Sequence, residues 1–223
     1  MDFIKADQLK NIFNVSAHFY NLRISGSLFQ CRSVLEIRRT GEADLLPDMI
    51  VVMMNPGSST PLDKSHNIKT FSKAEYNKEK TREMIPTKPD PAQYQIMRLM
   101  QTNSWSFVRI LNLSDLRNGN SGAFQLEYLS ASKLDDSNPH CITHKDRSKE
   151  LLDNMKSKNS KVIVAWGSIA ELKDSAFALL KLNKDFVGLE TGKKPNYLYA
   201  SPSMKTYKVR WLTEIQKEID KSE

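Results

Sequence analysis

Short, continuously apolar runs alternate along the chain with longer stretches in which apolar residues return every three or four positions. Residues 49–54, MIVVMM, form an unbroken apolar block that stops at Asn55-Pro56-Gly57. Such a block reads as a strand covered on both faces, as at the centre of a parallel sheet. Residues 107–111, 162–165 and 197–200 repeat the pattern, and each runs into a polar or turn-forming segment. Residues 28–39 instead alternate loosely between apolar and polar, which predicts an exposed antiparallel hairpin or edge strand.

Helical spacing fills the intervals. Asp90-Pro91 is a cap and first-turn pair leading to Tyr94, Met97 and Met100 on one face. Ser168 and Glu171 have capping-box spacing ahead of Leu172, Ala176, Leu179 and Leu180. Val209, Leu212, Ile215 and Ile219 form the stripe of a C-terminal helix, and the first 13 residues read as a short amphipathic helix. Residues 58–89 are polar and Lys-rich, with a helix expected near 73–84, and suit a mobile flap over a site. Strands alternating with helices predict an α/β fold: three layers, α/β/α, around a central, mostly parallel four-stranded sheet, plus an N-terminal β-hairpin. One domain over residues 1–223 is expected. Ligands of such sheets gather at the carboxyl ends of the strands.

Composition narrows the partners. With 33 Lys+Arg against 26 Asp+Glu, a net charge of +7, the chain should favour anionic partners such as nucleic acid or acidic membrane surfaces. No apolar run approaches membrane-spanning length, and the acid-bearing N-terminus lacks the basic flank and apolar block of a secretory signal. Cys31 and Cys141 stand far apart outside any CxxC pair, which argues against a disulfide framework, a four-Cys zinc site or an iron–sulfur cluster, and for a reducing, cytoplasmic setting. His140-Cys141-x-x-His144 offers three ligands without a fourth and reads as a capped loop, so no metal is expected. Neither GxGxxG nor a Walker A motif is present, which disfavours a nucleotide enzyme.

Three strand ends stand out: Met54-Asn55-Pro56-Gly57-Ser58-Ser59, Ile110-Leu111-Asn112-Leu113, and Ala200-Ser201-Pro202-Ser203-Met204. Taken singly, Asn-Pro-Gly is a tight turn and Asn112 a cap or a satisfied buried amide. Taken in order, they resemble the motifs of the uracil-DNA-glycosylase superfamily, notably its mismatch-specific and single-strand-selective branches. Residues 162–167, VIVAWG, look like the strand and Trp-Gly turn that precede the last motif. The chain also resembles uncharacterised bacterial and phage proteins with an Asn-Pro strand end, and the resemblance spans residues 49–211.

The resemblance implies a monofunctional DNA glycosylase that flips a pyrimidine out of DNA, hydrolyses its N-glycosidic bond and leaves an abasic site, as a monomer and without a cofactor. Asn55 would orient the attacking water; an amide has no useful basicity, so stabilisation of the leaving group must dominate. Asn112 would read the edge of the base with one donor and one acceptor, inside a pocket shaped by Met54, Pro56 and Gly57. Ser58, Ser59, Ser201, Pro202 and Ser203 would contact the backbone, Met204 or Lys205 would fill the gap left by the base, and Lys208 would add charge beside them.

The chain departs from the best-known members, which carry His at the position of Ser201 and an apolar wedge near Lys205. Gly57 replaces the bulky aromatic residue of the uracil-restricted branch, and open space there suits a C5-modified pyrimidine such as the large adducts phages place on cytosine. Phe71 is either a ring that stacks on the base or an ordinary core residue. Asp63 and Asp115 either supply a carboxylate to the reaction or serve as turn and cap residues. Repair of deaminated bases and defence against phage DNA are both open as roles. A glycosylase-like module that binds modified or single-stranded nucleic acid without cleaving it is the alternative.

Overall fold

The computed structural model describes residues 3–79, 82–182 and 184–221. After a short helix α1 (Ala6–Lys10), the chain forms a long hairpin of β1 (Phe13–Ile24) and β2 (Ser27–Arg39). The turn is only Ser25-Gly26, with φ of 46° and 87°. Positive φ at both positions matches the right-handed twist of the flanking strands, so a two-residue connection closes here.

The remaining elements are β3 (Met49–Met53), β4 (Thr60–Pro61), β5 (Thr70–Ser72), α2 (Lys73–Lys78), β6 (Ile85–Lys88), α3 (Pro91–Thr102), β7 (Phe107–Asn112), α4 (Ser121–Leu134), α5 (Ser148–Asn154), β8 (Lys161–Ala165), α6 (Lys173–Leu180), β9 (Asp185–Val187) and α7 (Lys205–Asp220). The nine strands make one mixed sheet in the order β4-β6-β1-β2-β7-β3-β8-β9, with β5 beside β1. The fold is therefore mixed α/β, and its sheet is larger than the four strands expected from the apolar runs.

The hairpin corrects one expectation. β2 is neither exposed nor an edge: it pairs antiparallel with β1 on one side and β7 on the other, and every residue from Cys31 to Leu35 is buried. Residues 58–89 correct another. Instead of a free flap, β4 pairs with β6, while β6 and β5 both pair with β1, so the segment is stitched to the hairpin. The helix there stops at Lys78, capped at its start by Ser72 and Glu75. Residues 80 and 81 of the longer helix expected there, like residues 1 and 2 of the N-terminal one, lie outside the described residues.

The parallel half of the sheet is β7-β3-β8-β9. Three of its strands coincide with the apolar runs. The fourth does not: residues 197–200 make only isolated bridges, from Tyr197 to Gly167 and Glu190, with Leu198 and Tyr199 substantially exposed. The fourth strand is instead β9, whose Asp-Phe-Val is too short for any periodicity to show. Helices α3 and α7 follow their stripes. Helix α6 forms behind a 3₁₀ turn (Ala170–Leu172) without the expected side-chain cap. Helix α4 has no clear sequence stripe, because Leu126 and Leu129 face solvent while Phe124, Tyr128 and Ala131 face the core.

Alternation along β3 divides the interior. Ile50 and Val52 join a core with residues of α4, α5 and α6, whereas Met49, Val51 and Met53 join one with residues of α1, α3 and α7. Each fully buried aliphatic side chain contributes roughly 1.5–3 kcal/mol. Among the described residues no helix is long and apolar enough to cross a membrane, and Cys31 and Cys141 are buried and unpaired. From β3 the chain passes to β7 on one side, then crosses to β8 on the other. The strand order thus reverses at β3, and a crevice is expected at the carboxyl ends of β3 and β8.

Candidate active site at the strand ends

Past β3 and β7 the chain stays paired for two more residues: Leu113 N donates to Met53 O at 2.9 Å and Ser114 N to Met54 O at 3.1 Å. This continued ladder sets the two strand-end asparagines against each other. In the amide orientation that satisfies its neighbours, Asn112 Nδ2 donates to the Asn55 carbonyl at 2.9 Å and its Oδ1 accepts from Arg32 Nη2 at 3.3 Å. Asn55 Nδ2 in turn donates to the carbonyls of Asn118, at 2.7 Å, and Leu116, at 3.3 Å. Its Oδ1 makes no hydrogen bond among the described residues. The amide is therefore locked by its donor end with its acceptor free.

Arg32 comes from β2 and is buried beneath this turn. Its Nη1 donates to the Pro56 carbonyl at 3.1 Å, and Nε has no partner among the described residues. Burial lowers its pKa to about 10, with the charge of Asp90 opposing. Asp90 caps α3, accepting from Ala92 N and Gln93 N at 2.9 and 3.1 Å. Its carboxylate abuts Gly57, whose φ is 66°, so closely that a Cβ there would lie 2.4 Å from Asp90 Oδ2. The space beside Gly57 is therefore filled, not open: its φ favours glycine, and a side chain there would have to displace the Asp90 carboxylate. Burial raises the Asp90 pKa.

The third segment reaches the same end of the sheet through α3. Gln95 Nε2, one turn beyond the Asp90 cap, donates to Ala200 O and Lys208 O, both at 3.1 Å. Tyr199 lies close enough to Asp90 and Arg32 for both charges to act on its phenol. Ser201 Oγ is buried without a partner among the described residues. Pro202 is half-buried, Ser203 exposed, and Met204 56% exposed at the N-cap of α7, followed by exposed Lys205 and half-buried Lys208.

No protein-family model matches the chain, and neither a curated protein nor a solved structure shows significant similarity to it. The site therefore rests on its own geometry.

Within the first strand-end segment, Met54 is half-buried against the core. Ser58 is exposed beside Gly119, and Ser59 is buried, its carbonyl accepting from Arg117 Nη2 at 3.1 Å. Two other candidates, Phe71 and Asp63, lie apart from it, whereas Asp115 adjoins it: its carbonyl accepts from Arg32 N at 2.9 Å, and its neighbours Ser114 and Leu116 bond Met54 and Asn55. Phe71 sits on β5, with β1, β2 and β7 between it and β3, and its ring packs on Tyr20 and Tyr76 as a core residue. Asp63 is an exposed turn residue beyond β4 that accepts from Ser65 N and Oγ. Asp115 is fully buried and accepts from Tyr20 Oη at 2.6 Å while pairing with Arg147 at 2.8 Å. Burial raises its pKa to about 6.

Asn112 also departs from expectation. It is fully buried, and its amide is committed to Asn55 and Arg32, so it positions the turn instead of presenting an edge to a base. His140 Nδ1 shares a hydrogen bond with Ser114 Oγ at 3.1 Å and is held neutral by burial, its pKa near 3. His144 Nδ1 accepts from Asp146 N. Among the described residues no group of His, Cys, Asp or Glu is arranged to hold a metal. Arg32 and Asp90 are the residues that sequence reasoning missed as parts of the site. Nothing in the sequence marked Arg32, because its segment alternates as a half-exposed strand does; Asp90 looked like an ordinary cap.

Proposed function

We propose that the chain is a monofunctional, uracil-DNA-glycosylase-like hydrolase with α/β/α layering, acting on a base extruded from DNA. Water adds its oxygen to C1′ as the C1′–N bond breaks, the bond pair leaves with the base, the proton that water gives up ends on that base through solvent, and an abasic site and free base result. The observation that carries this reading is the pinned amide of Asn55: with Nδ2 fixed by two carbonyls, Oδ1 is left as an oriented acceptor for a water hydrogen. Arg32, a desolvated cation under the same turn, supports the reading because positive potential favours a departing anionic base. Asn112 acts as a positioning residue. The partner is DNA, contacted by the 201–205 turn and Lys208, and the protein works as a monomer in repair or in defence against modified DNA.

A second reading, a module that binds nucleic acid without cleaving it, is favoured by the full burial of Asn112. The two separate on a panel of DNAs carrying uracil, thymine mismatches, hydroxymethylcytosine or glucosylated hydroxymethylcytosine, scored for released base and alkali-labile breaks. On the glycosylase reading the wild type releases base from at least one DNA, and Asn55→Ala loses roughly 10²-fold or more of that rate with DNA affinity nearly unchanged. Binding without release from any DNA, the same in both proteins, leaves the module.

A further inference from the structure

The far edge of the parallel half, two strands from Asn55, carries an aromatic cleft that the proposed chemistry does not use. It lies between α6, β9 and the segment after β9, has a volume of about 330 Å3, and is lined by Phe177, Phe186, Tyr197, Lys181, Lys194 and Glu190. That volume is at the low end of the roughly 300–1,000 Å3 of small-ligand sites. Phe177 is 38% exposed.

The opposite wall is held rigidly. Tyr197 meets Trp166 edge to face, with ring centroids 5.3 Å apart, and Trp166 Nε1 donates to Pro195 O at 2.7 Å. A Cβ at Gly188 would come within 2.6 Å of the Tyr197 ring, so the glycine lets the ring lie against the backbone. The rim is charged: Lys194 and Glu190 pair at 3.3 Å, both more than half exposed, and Lys181 is exposed. Tyr197 bridges to Gly167 at the end of β8, next to β3, and the chain continues from it to Met204 and Lys205.

We infer that this cleft stacks an unpaired nucleobase from the strand whose neighbouring nucleotide enters at Asn55, making single-stranded nucleic acid the substrate class. The inference rests on the reading above for its placement. The exposed Phe177 ring takes the face of the base, Glu190 and the lysines meet its polar edge, and the lysines hold the adjoining phosphates. A preformed wall loses little entropy on binding.

The test is fluorescence anisotropy with labelled oligo(dT), an oligomer of abasic residues of the same length, and the dT/dA duplex. Wild type binds oligo(dT) more tightly than either. Phe177→Ala weakens oligo(dT) binding roughly 10-fold, the size of one lost stack, and leaves the abasic oligomer unaffected, while Phe177→Tyr retains the wild-type preference. Lys194→Gln weakens both single strands alike and flattens the salt dependence. Equal oligo(dT) affinity for wild type and Phe177→Ala overturns the inference, as does equal wild-type affinity for oligo(dT) and the abasic oligomer; a cleft that serves a protein partner gives that result. Base release measured on the same proteins keeps the two claims apart. Loss of the Phe177 effect with release intact ends the cleft alone, and a Phe177 effect without any release ends only the glycosylase.

Discussion

Two arginines of this protein are buried almost equally, Arg32 at 1% exposure and Arg147 at 2%, yet their surroundings are opposite. Arg147 reaches Asp115 through Nη1 at 2.8 Å, Glu150 through Nε and Nη2 at 2.9 Å, and the Tyr76 hydroxyl at 3.2 Å. Burial works against its charge, but Asp115, Tyr76 and Glu150 outweigh it and its pKa rises. Among the described residues the Arg32 guanidinium hydrogen-bonds only a carbonyl and an amide and its Nε has no partner, and burial lowers its pKa to about 10 against the charges of Asp90 and Asp115. A compensated cation with two carboxylates belongs to the architecture. A cation without a direct carboxylate partner, whose burial is only partly offset by nearby Asp90 and Asp115, leaves positive potential beneath the strand-end loops, as perturbed groups at candidate functional sites do.

The largest effect that sharpens this contrast is Arg147→Met. It strands Asp115 and Glu150 in the interior and is expected to cost about 3–5 kcal/mol in urea unfolding at neutral pH. A loss under about 1 kcal/mol would mean that the network is not the strut described.

Acid comes next. Burial lowers the pKa of His18 to about 4 and of His140 to about 3, below the unfolded value near 6.5. The unfolded chain therefore binds more protons below that value, and both histidines take stability away as pH falls from 6.5 towards 4. Asp115, raised to about 6 by burial, acts in the opposite direction between pH 6 and 4, because the folded state holds its proton more tightly. At about 1.4 kcal/mol per unit the histidines win, and a net loss of roughly 4 kcal/mol is expected by pH 4. His140→Gln should flatten the curve. Stability that is level or rising towards pH 4 contradicts the assignment of neutral buried imidazoles.

The smallest stability change is expected for Arg32→Met. Two hydrogen bonds to Pro56 and Asn112 are lost, but a desolvated charge is relieved, leaving a net cost of about 1 kcal/mol. Base release should fall by much more than that, as the turn loosens and the cation goes. A variant as destabilised as Arg147→Met would erase the difference between the two arginines.

Local pattern alone was enough to mark β3, β7 and β8, the stripes of α3 and α7, and the strand-end positions of Asn55 and Asn112. Apolar blocks and helical periods need only near neighbours in the chain, and a buried parallel strand is apolar whatever lies beside it. Tertiary structure alone decided the rest. Pairing of β2 with both β1 and β7 buried a segment whose alternation looked half-exposed, and that burial brought Arg32 under Asn55, 23 positions away. The contact of Asp90 with Gly57 turned an apparent opening into a filled space. Asn112, which by residue type suits reading a base, became a brace because the ladder beyond β3 and β7 faced its amide to a carbonyl and a guanidinium. These are choices of partner among residues distant in sequence, and no local periodicity records which partner a donor meets.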